Sequence, residues 1–313
     1  MEQSLLVLSA LIPVLALVCI GAFLRRRKVL QPEMEQGLMT LVVNVLLPAL
    51  TLEKIVGNEA LAKFSDVAIV SGFGFGMTAL SFFLAYWLAG FMKMEKGTGR
   101  RTFGATAGIQ NFGYMGVPLL VALFGSNQAM GVLFTHNVGV EIAMWTIGVG
   151  LMSGNSSLDW RVLVKPPVIA VVLGLLINAV GFDRFIEGAP RTTLTMLGSC
   201  AIPLALIVIG AGLFELLNKQ KFDWKIAIGA VFTRLAFIPA VMLTLAYFLP
   251  LSTELKQVIV VQAAMPAAMF PIVLAKHYNG KPELAVQVVV STTVACFVTV
   301  PIVIAIGMKV LGV

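Results

Sequence analysis

Several side chains that can donate hydrogen bonds without carrying a charge lie inside long apolar stretches of this sequence. Gln110, Asn111 and Tyr114 fall within QNFGYMGVPLLVALFG, and Gln262 falls within QAAMPAAMFPIVLA. Neutral amide and phenol groups can hydrogen-bond a carboxylate, and a site without a fixed charge can also release it. We therefore expect these residues to contribute to a binding site for a small anion.

A second group of polar residues contains ionisable side chains. Glu141 is an acid near the centre of an apolar segment, and Asn137 lies one helical turn before it, next to His136. An acid at the centre of a membrane is unfavourable by roughly 2.5–3.5 kcal/mol, so it needs a partner or a function. Two interpretations remain open. Either Glu141 or His136 carries a proton or binds a cation, or a neutral Glu141 hydrogen-bonds Asn137 or a neighbouring helix.

Arg234, in FTRLAF, is a basic residue inside an apolar segment. Three roles are open for it: pairing with a substrate carboxylate, pairing with Glu141, or extending toward the cytoplasmic interface. We expect structural roles for Asn44, four residues before Pro48, and for hydroxyls such as Ser291, because such groups often satisfy carbonyls of their own helix.

The apolar segments place the chain in a membrane. The chain has 313 residues, 59% of them hydrophobic and 12% charged, with a mean hydropathy of +0.96. A soluble domain could not bury so much apolar surface, and a run of about 18 or more apolar residues can cross the hydrocarbon layer as a helix. The first run is followed by the basic cluster RRRK, the reverse of a secretory signal, so we expect a retained first helix.

Charge and cysteine content exclude some classes of function. The net charge is +7, but the basic residues lie in short loops rather than on one continuous face, so we expect no nucleic-acid partner. Cys19, Cys200 and Cys296 show no spacing typical of a disulfide or a zinc site, and we expect no cofactor. An intramembrane metalloprotease is not expected, because HExxH is absent.

Breaking the chain at its charged and turn-rich stretches predicts an all-α integral membrane protein with ten spans. The predicted spans are about 4–24, 36–57, 66–92, 102–125, 128–152, 162–182, 192–217, 225–249, 255–277 and 283–311. Fifteen of the 22 basic residues then fall in the loops after odd-numbered spans. Because cytoplasmic loops are rich in Lys and Arg, this distribution predicts that both termini lie outside.

The two halves of the sequence, 1–153 and 161–313, repeat short motifs in the same order. PLLVA at Pro118 corresponds to PIVLA at Pro271, PALTL to PLALI, and AYWL to AYFL, at nearly constant spacing. An odd number of spans per half turns the second half over in the bilayer. The sequence therefore predicts two inverted five-helix repeats.

Helix-breaking residues recur in the fourth and ninth spans. Gly113, Gly116 and Pro118 predict a break in span four, and Pro266 and Pro271 predict one in span nine. Non-helical backbone at membrane depth is tolerated only where protein covers it or where it lines a cavity. Breaks at equivalent points of inverted repeats would face each other near the midplane, where half-helix N-termini can bind an anion.

Three motifs then indicate a family. NVLLPAL in span two, QNFGYMGVPLLVALFG in span four and QAAMPAAMFPIVLAKHYNG in span nine, on a chain of ten spans, resemble the auxin efflux carrier family. That family is similar in architecture to the bile acid:sodium symporters. The resemblance implies an elevator-type transporter and a homodimer. Its transport domain would comprise spans 3–5 and 8–10, its scaffold domain spans 1–2 and 6–7, and helices four and nine would cross beside the substrate.

The resemblance also implies site residues and a substrate class. The family's crossover asparagine and prolines correspond to Asn111, Pro118 and Pro271, with Pro266 close by, whereas alanines at 263–264 stand where a second asparagine is sought. Plant members export auxin, and bacterial members are commonly called malate or malonate permeases. The short polar loop between spans five and six indicates a bacterial inner-membrane protein, for which auxin is not the expected substrate.

The sequence therefore predicts a carrier of small organic anions, mono- or dicarboxylates such as malate. Export could be driven by the membrane potential alone, whereas import needs a coupling ion, H⁺ or Na⁺. A sodium-coupled symporter is the alternative within this class, and a membrane receptor or scaffold without transport is the alternative outside it. Inverted broken helices favour the carrier, because alternating access requires them.

Overall fold

A computed structural model describes residues 2–61, 63–113, 115–154, 166–219 and 223–313. Within these ranges the chain is helical, apart from turns and one isolated antiparallel bridge. The helices are α1 (Glu2–Arg26), α2 (Pro32–Leu41), α3 (Leu47–Ile55), α4 (Phe64–Phe91), α5 (Thr98–Ala107), α6 (Gly116–Phe124), α7 (Asn127–Ala143), α8 (Val149–Ser153), α9 (Pro166–Ala179), α10 (Ala189–Lys219), α11 (Trp224–Phe232), α12 (Ile238–Phe248), α13 (Thr253–Ala264), α14 (Phe270–His277) and α15 (Pro282–Leu311).

Three π-helical turns join consecutive helices into longer ones. They are Val42–Leu46 between α2 and α3, Met144–Gly148 between α7 and α8, and Thr233–Phe237 between α11 and α12. Two of them lie just before a proline: Pro48 follows the first turn and Pro239 follows the third. Since proline cannot donate to the carbonyl four residues earlier, the wider turn accommodates the missing bond without ending the helix.

Six of these continuous helices are long and apolar enough to cross a membrane, so the protein is a multi-pass membrane protein. They are Pro32–Ile55, Phe64–Phe91, Asn127–Ser153, Ala189–Phe214, Trp224–Phe248 and Pro282–Leu311. The other predicted spans correspond to α1, to the shorter apolar helix α9, and to the pairs α5/α6 and α13/α14. A helix rises about 1.5 Å per residue, so the members of these pairs each reach only part of the way across a bilayer.

Close helix contacts in the bundle occur at glycines. A methyl group added at Gly210 of α10 would lie 1.9 Å from the carbonyl oxygen of Val18 on α1. One added at Gly74 of α4 would lie 2.2 Å from the carbonyl oxygen of His136 on α7. Because lipid supplies no hydrophobic force between helices, such close backbone approach is a main source of packing energy in membranes.

The interruptions in α5/α6 and α13/α14 occur near the expected glycines and prolines, but the first lies earlier than predicted. The helix already ends at Ala107, and Gly116 and Pro118 belong to the first turn of α6. Proline is tolerated there because N–H groups in the first turn have no partner within the helix. Pro118 therefore marks the start of the second half-helix, and the described residues between Ala107 and Gly116 belong to the break.

Candidate functional site

The two breaks cross each other and are joined through their backbones. Gln110 and Ala267 form an antiparallel bridge. The Asn111 amide nitrogen donates to the Pro266 carbonyl oxygen at 2.7 Å, and the Ala268 nitrogen donates to the Ile109 oxygen at 3.0 Å. Two short extended segments thus satisfy each other where neither has helical hydrogen bonds, which is how non-helical backbone is tolerated at membrane depth.

Side chains from other helices support the rest of the second break. The Ala267 nitrogen donates to Thr292 Oγ1 of α15 at 3.2 Å. The Met265 carbonyl oxygen accepts a hydrogen bond of 3.0 Å from Arg234 Nε. Thr292 therefore has a structural role, as expected for the hydroxyls of the last span. Its hydroxyl accepts from the crossing segment and also donates to the Val288 carbonyl oxygen of its own helix.

A cluster of amides supports the first break. Gln262 Nε2 donates to the Phe112 carbonyl oxygen at 3.1 Å, and Asn137 Nδ2 donates to the same oxygen at 3.4 Å. Gln262 Nε2 also lies 3.5 Å from Asn137 Oδ1, and His136 Nδ1 lies at the same distance from that oxygen. The structure thus brings together Asn137 of α7 and Gln262 of α13, which are 125 residues apart in the sequence.

The cluster is buried yet retains free hydrogen-bonding capacity. Gln110 and Gln262 are 1% and 0% exposed, and the side-chain oxygen of each has no hydrogen-bond partner among the described residues. Asn111 is 4% exposed, and its carboxamide makes no hydrogen bond to the part of the chain that the structure describes. A buried polar group without a partner is unfavourable by about 1–3 kcal/mol. Such groups indicate a site that a ligand completes.

Close packing leaves little room beside these amides. A methyl group added at Gly116, the first residue of α6, would lie 3.0 Å from Gln262 Nε2. Pro266 is buried within the second break, and Pro271 is buried in the first turn of α14. Pro118 is half-buried in the first turn of α6. Tyr114 lies outside the described residues.

Helix ends concentrate partial charge at the crossing. The half-helices α6 and α14 begin just after the crossing segments, and α5 and α13 end just before them. An α-helix carries roughly +0.5 charge at its N-terminus and −0.5 at its C-terminus. The crossing therefore offers both N-terminal ends suited to an anion and C-terminal carbonyls suited to a cation.

Arg234 lies at one of the C-terminal ends. It belongs to the π turn before Pro239 and is 0% exposed. Nε donates to the Met265 carbonyl oxygen at 3.0 Å, and Nη2 donates to the Gln262 carbonyl oxygen at 3.3 Å. Arg234 therefore neither pairs with Glu141 nor extends to the membrane interface, two of the three roles that the sequence left open.

The remaining polar candidates take different positions. His136 is fully buried, and its Nε2 has no hydrogen-bond partner in the part of the chain that the structure describes. Glu141 is half-buried on α7, one turn beyond the amide cluster. Asn44 is exposed in the first π turn, and its side chain makes no hydrogen bond to a helix carbonyl within the described residues, so the structural role expected for it is not observed. Pro239, five residues after Arg234, is the sequence signal that could have placed Arg234 at a helix irregularity.

A cavity of about 560 Å³ opens beside α2. Its wall includes Glu35, Thr40, Asn44 and Val208. A methyl group added at Gly212 of α10 would lie 3.1 Å from Glu35 Oε1 and 3.6 Å from Met269 Cε. Met269 belongs to the second break, so Glu35 of the cavity wall and the second break both lie near Gly212.

Comparison with known proteins agrees with this architecture. The sequence matches the family described as "Membrane transport protein" over residues 6–158 and 151–304. It is 28% identical over 301 residues to an uncharacterized transporter of Methanothermobacter thermautotrophicus, covering 94% of this chain and 96% of the relative. It is 25% identical over 295 residues to the uncharacterized transporter YfdV of Escherichia coli K12, covering 89% of this chain and 92% of that protein.

A partial match extends to plant proteins. The chain is 28% identical over 130 residues to auxin efflux carrier component 1 of Arabidopsis thaliana, covering 40% of this chain and 21% of the plant protein. The full-length relatives are transporters, and the family match spans nearly the whole chain. The chain therefore belongs to the membrane transport protein family, the auxin efflux carrier family that its motifs resemble, and it is a transporter rather than an enzyme.

Proposed function

We propose that this transporter carries small organic anions, mono- or dicarboxylates such as malate, by alternating access at the crossing of the two breaks. The proposal depends on the buried amides of Gln110, Asn111 and Gln262 beside two half-helix N-termini, because the side-chain oxygens of Gln110 and Gln262 have no partner among the described residues. Neutral donors and positive helix ends favour an anion, and no fixed carboxylate belongs to the amide cluster itself.

Alternating access needs two groups of helices that move against each other. In one group α1 and α3 pack on α10, and α3 also packs on α9. In the other, α4 packs on α5 and α7, and α15 packs on α11 and α13. This division supports an elevator with a scaffold of spans 1–2 and 6–7 and a transport domain of spans 3–5 and 8–10, within ten spans arranged as two inverted repeats.

The proposed cargo also suggests how transport is driven. We assign the protein to a bacterial inner membrane with both termini outside, where the interior is negative. Moving one negative charge outward then gains about 2.3 kcal/mol per 100 mV, so export needs no coupled ion. Import would need a coupling cation, and Glu141 and His136 are the candidates to bind it. The proposed assembly is a homodimer.

The proposal is tested by uptake of labelled malate into proteoliposomes with and without an imposed membrane potential. An inside-positive potential of about 100 mV should increase malate accumulation up to about 50-fold per charge moved. Asn111→Ala should lower the initial rate at least fivefold, because a buried hydrogen bond to the anion contributes about 1–3 kcal/mol. Asn127→Ala, at an exposed position at the start of α7, is the matched control and should keep the wild-type rate.

If malate flux does not change with the membrane potential, the protein is not a carrier that moves net charge. If flux is the same in wild type and Asn111→Ala, the substrate site does not depend on Asn111 at the crossing. If malate is not taken up at all, the same vesicles loaded with other mono- and dicarboxylates decide whether only the choice of substrate is wrong. Absence of flux for the whole panel would contradict the organic-anion assignment itself.

A further inference from the structure

The carbonyl end of α13 is the part of the crossing whose chemistry suits a cation. Helix α13 ends at Ala264, and the Gln262 and Met265 carbonyl oxygens lie at this end, in residues that are both 0% exposed. In carriers with discontinuous helices, unwound carbonyls and half-helix C-termini of this kind coordinate the coupling cation. A bound Na⁺ would therefore be expected against these oxygens if the protein used one.

A side chain already occupies these oxygens. The guanidinium of Arg234 donates to Met265 O through Nε at 3.0 Å and to Gln262 O through Nη2 at 3.3 Å. A guanidinium in a protein stays protonated and carries a full positive charge. Arg234 therefore places a permanent cation, covalently tethered to α11/α12, on the carbonyls that would coordinate a free one.

Within the described residues, no acidic side chain forms an ion pair with Arg234. Its hydrogen-bond partners within the described residues are the two carbonyl oxygens, and Nη1 has no partner. The nearest compensation for its charge is the negative end of the α13 dipole. A fully buried cation held by carbonyls alone matches the environment of a desolvated metal ion more closely than that of a salt bridge.

A comparison within the same protein separates this arrangement from ordinary helix capping. Arg191 also donates to carbonyls at a helix end, through Nη2 to Glu53 O and Val56 O, each at 3.4 Å. Arg191 is half-buried on α10, and its guanidinium lies at the C-terminal end of α3. Water can replace a guanidinium at such a position, whereas no solvent reaches Arg234.

We propose that Arg234 is a built-in cation that takes the place of a coupling sodium ion at the end of α13, so that this protein transports without sodium. The proposal rests on the proposed carrier function for its transport measurement but not for its stability measurement. It disfavours the sodium-coupled symporter. It also makes Arg234 a positioning residue, because the guanidinium holds the helix end from which the Gln262 side chain reaches the first break.

The first test uses the unmodified protein. Malate uptake by wild type, driven by the same membrane potential, is measured in sodium, potassium and choline media of equal ionic strength. The three rates should agree within about twofold. Loss of uptake when choline replaces sodium would overturn the proposal, because the wild-type carrier would then bind a sodium ion of its own.

The second test removes the side chain and supplies cations from solution. Thermal unfolding of detergent-solubilised Arg234→Ala is followed in choline chloride, in sodium chloride and with up to about 50 mM guanidinium. A cation that binds only the folded state raises the unfolding temperature with its concentration. We expect guanidinium, and sodium relative to choline, to stabilise Arg234→Ala while leaving wild type and the matched control Arg191→Ala unchanged. Malate uptake by Arg234→Ala should be lost in choline and partly restored by the same cations.

Malate uptake and thermal unfolding distinguish a failure of the proposed carrier function from a failure of the proposed role of Arg234. If wild type transports no carboxylate, the proposed function is wrong, and the unfolding measurement alone decides whether Arg234 occupies a cation site. If Arg234→Ala folds but responds to sodium and guanidinium no more than Arg191→Ala does, Arg234 is a helix cap and the proposal is overturned. If Arg234→Ala does not fold, the sodium dependence of wild type still decides the question.

Discussion

At the scale of residues, the crossing depends on amides that serve two purposes at once. The Gln262 side-chain nitrogen donates to the Phe112 carbonyl of the other break, and its oxygen has no partner within the described ranges. Asn137 binds the same carbonyl from α7. Both amides thus stabilise the backbone of a break, and the Gln262 oxygen also keeps capacity for a ligand, whereas Asn137 Oδ1 already lies near Gln262 Nε2 and His136 Nδ1. Because satisfying buried groups is worth more in a dry interior than in water, these side chains couple local structure to substrate binding.

Replacing the Gln262 amide should affect both functions. Gln262→Leu leaves the Phe112 carbonyl with one donor fewer, and we expect the initial transport rate to fall roughly 5- to 150-fold, as for the loss of a buried hydrogen bond of about 1–3 kcal/mol. Gln257→Leu, on the same helix at a half-buried position, is the control and should keep its rate within about twofold. Equal rates for the two variants would contradict a role for Gln262 at the site.

At the scale of elements, glycine and proline determine where helices approach and where they break. Glycines of α4 and α7 allow their backbones to touch, and prolines in the first turns of α6 and α14 allow new half-helices to begin after the crossing. The sequence predicted both breaks from these residues. It placed the first too late, because a proline marks a helix start as readily as a helix end.

A pair of neighbouring glycines on α4 tests the packing argument. At Gly74 an added methyl group would lie 2.2 Å from the carbonyl oxygen of His136, whereas at Gly76 nothing lies within 4 Å. Gly74→Val should therefore lower the free energy of unfolding by about 1–3 kcal/mol or more through overpacking. Gly76→Val should leave it nearly unchanged. Thermal unfolding of the two variants in detergent checks this, and equal unfolding temperatures would argue against close α4–α7 contact.

At the scale of the whole molecule, helices distant in sequence assemble the site. The bridge joins the α5/α6 break to the α13/α14 break, and residues of α7, α11/α12 and α15 support it. Charge determines how this assembly sits in the bilayer, because loops rich in Lys and Arg remain in the cytoplasm. Among the described residues, six helices are long and apolar enough to span a membrane on their own, and the count of ten with both termini outside stays a prediction.

Cysteine labelling tests that topology. Lys96 and Glu187 are both exposed and lie in loops predicted to face opposite sides. In a background without native cysteines, a membrane-impermeant maleimide added to right-side-out vesicles should label Glu187→Cys and spare Lys96→Cys until the vesicles are opened. The reverse pattern would show that the orientation is inverted, and labelling of both before opening would contradict the span count between them.

The sequence by itself determined the membrane class, the two breaks and the polar residues beside them, because composition, proline and glycine act locally. Its motifs also indicated the family that the comparisons then showed. Only the tertiary structure decided which partners those residues have. Three sets of contacts join segments that are far apart in the chain. They are the Gln110–Ala267 bridge, the hydrogen bonds of Gln262 and Asn137 to the Phe112 carbonyl, and those of Arg234 to the end of α13. Periodicity and propensity describe one segment at a time, whereas buried polar groups take their partners from whatever helix the packing brings near.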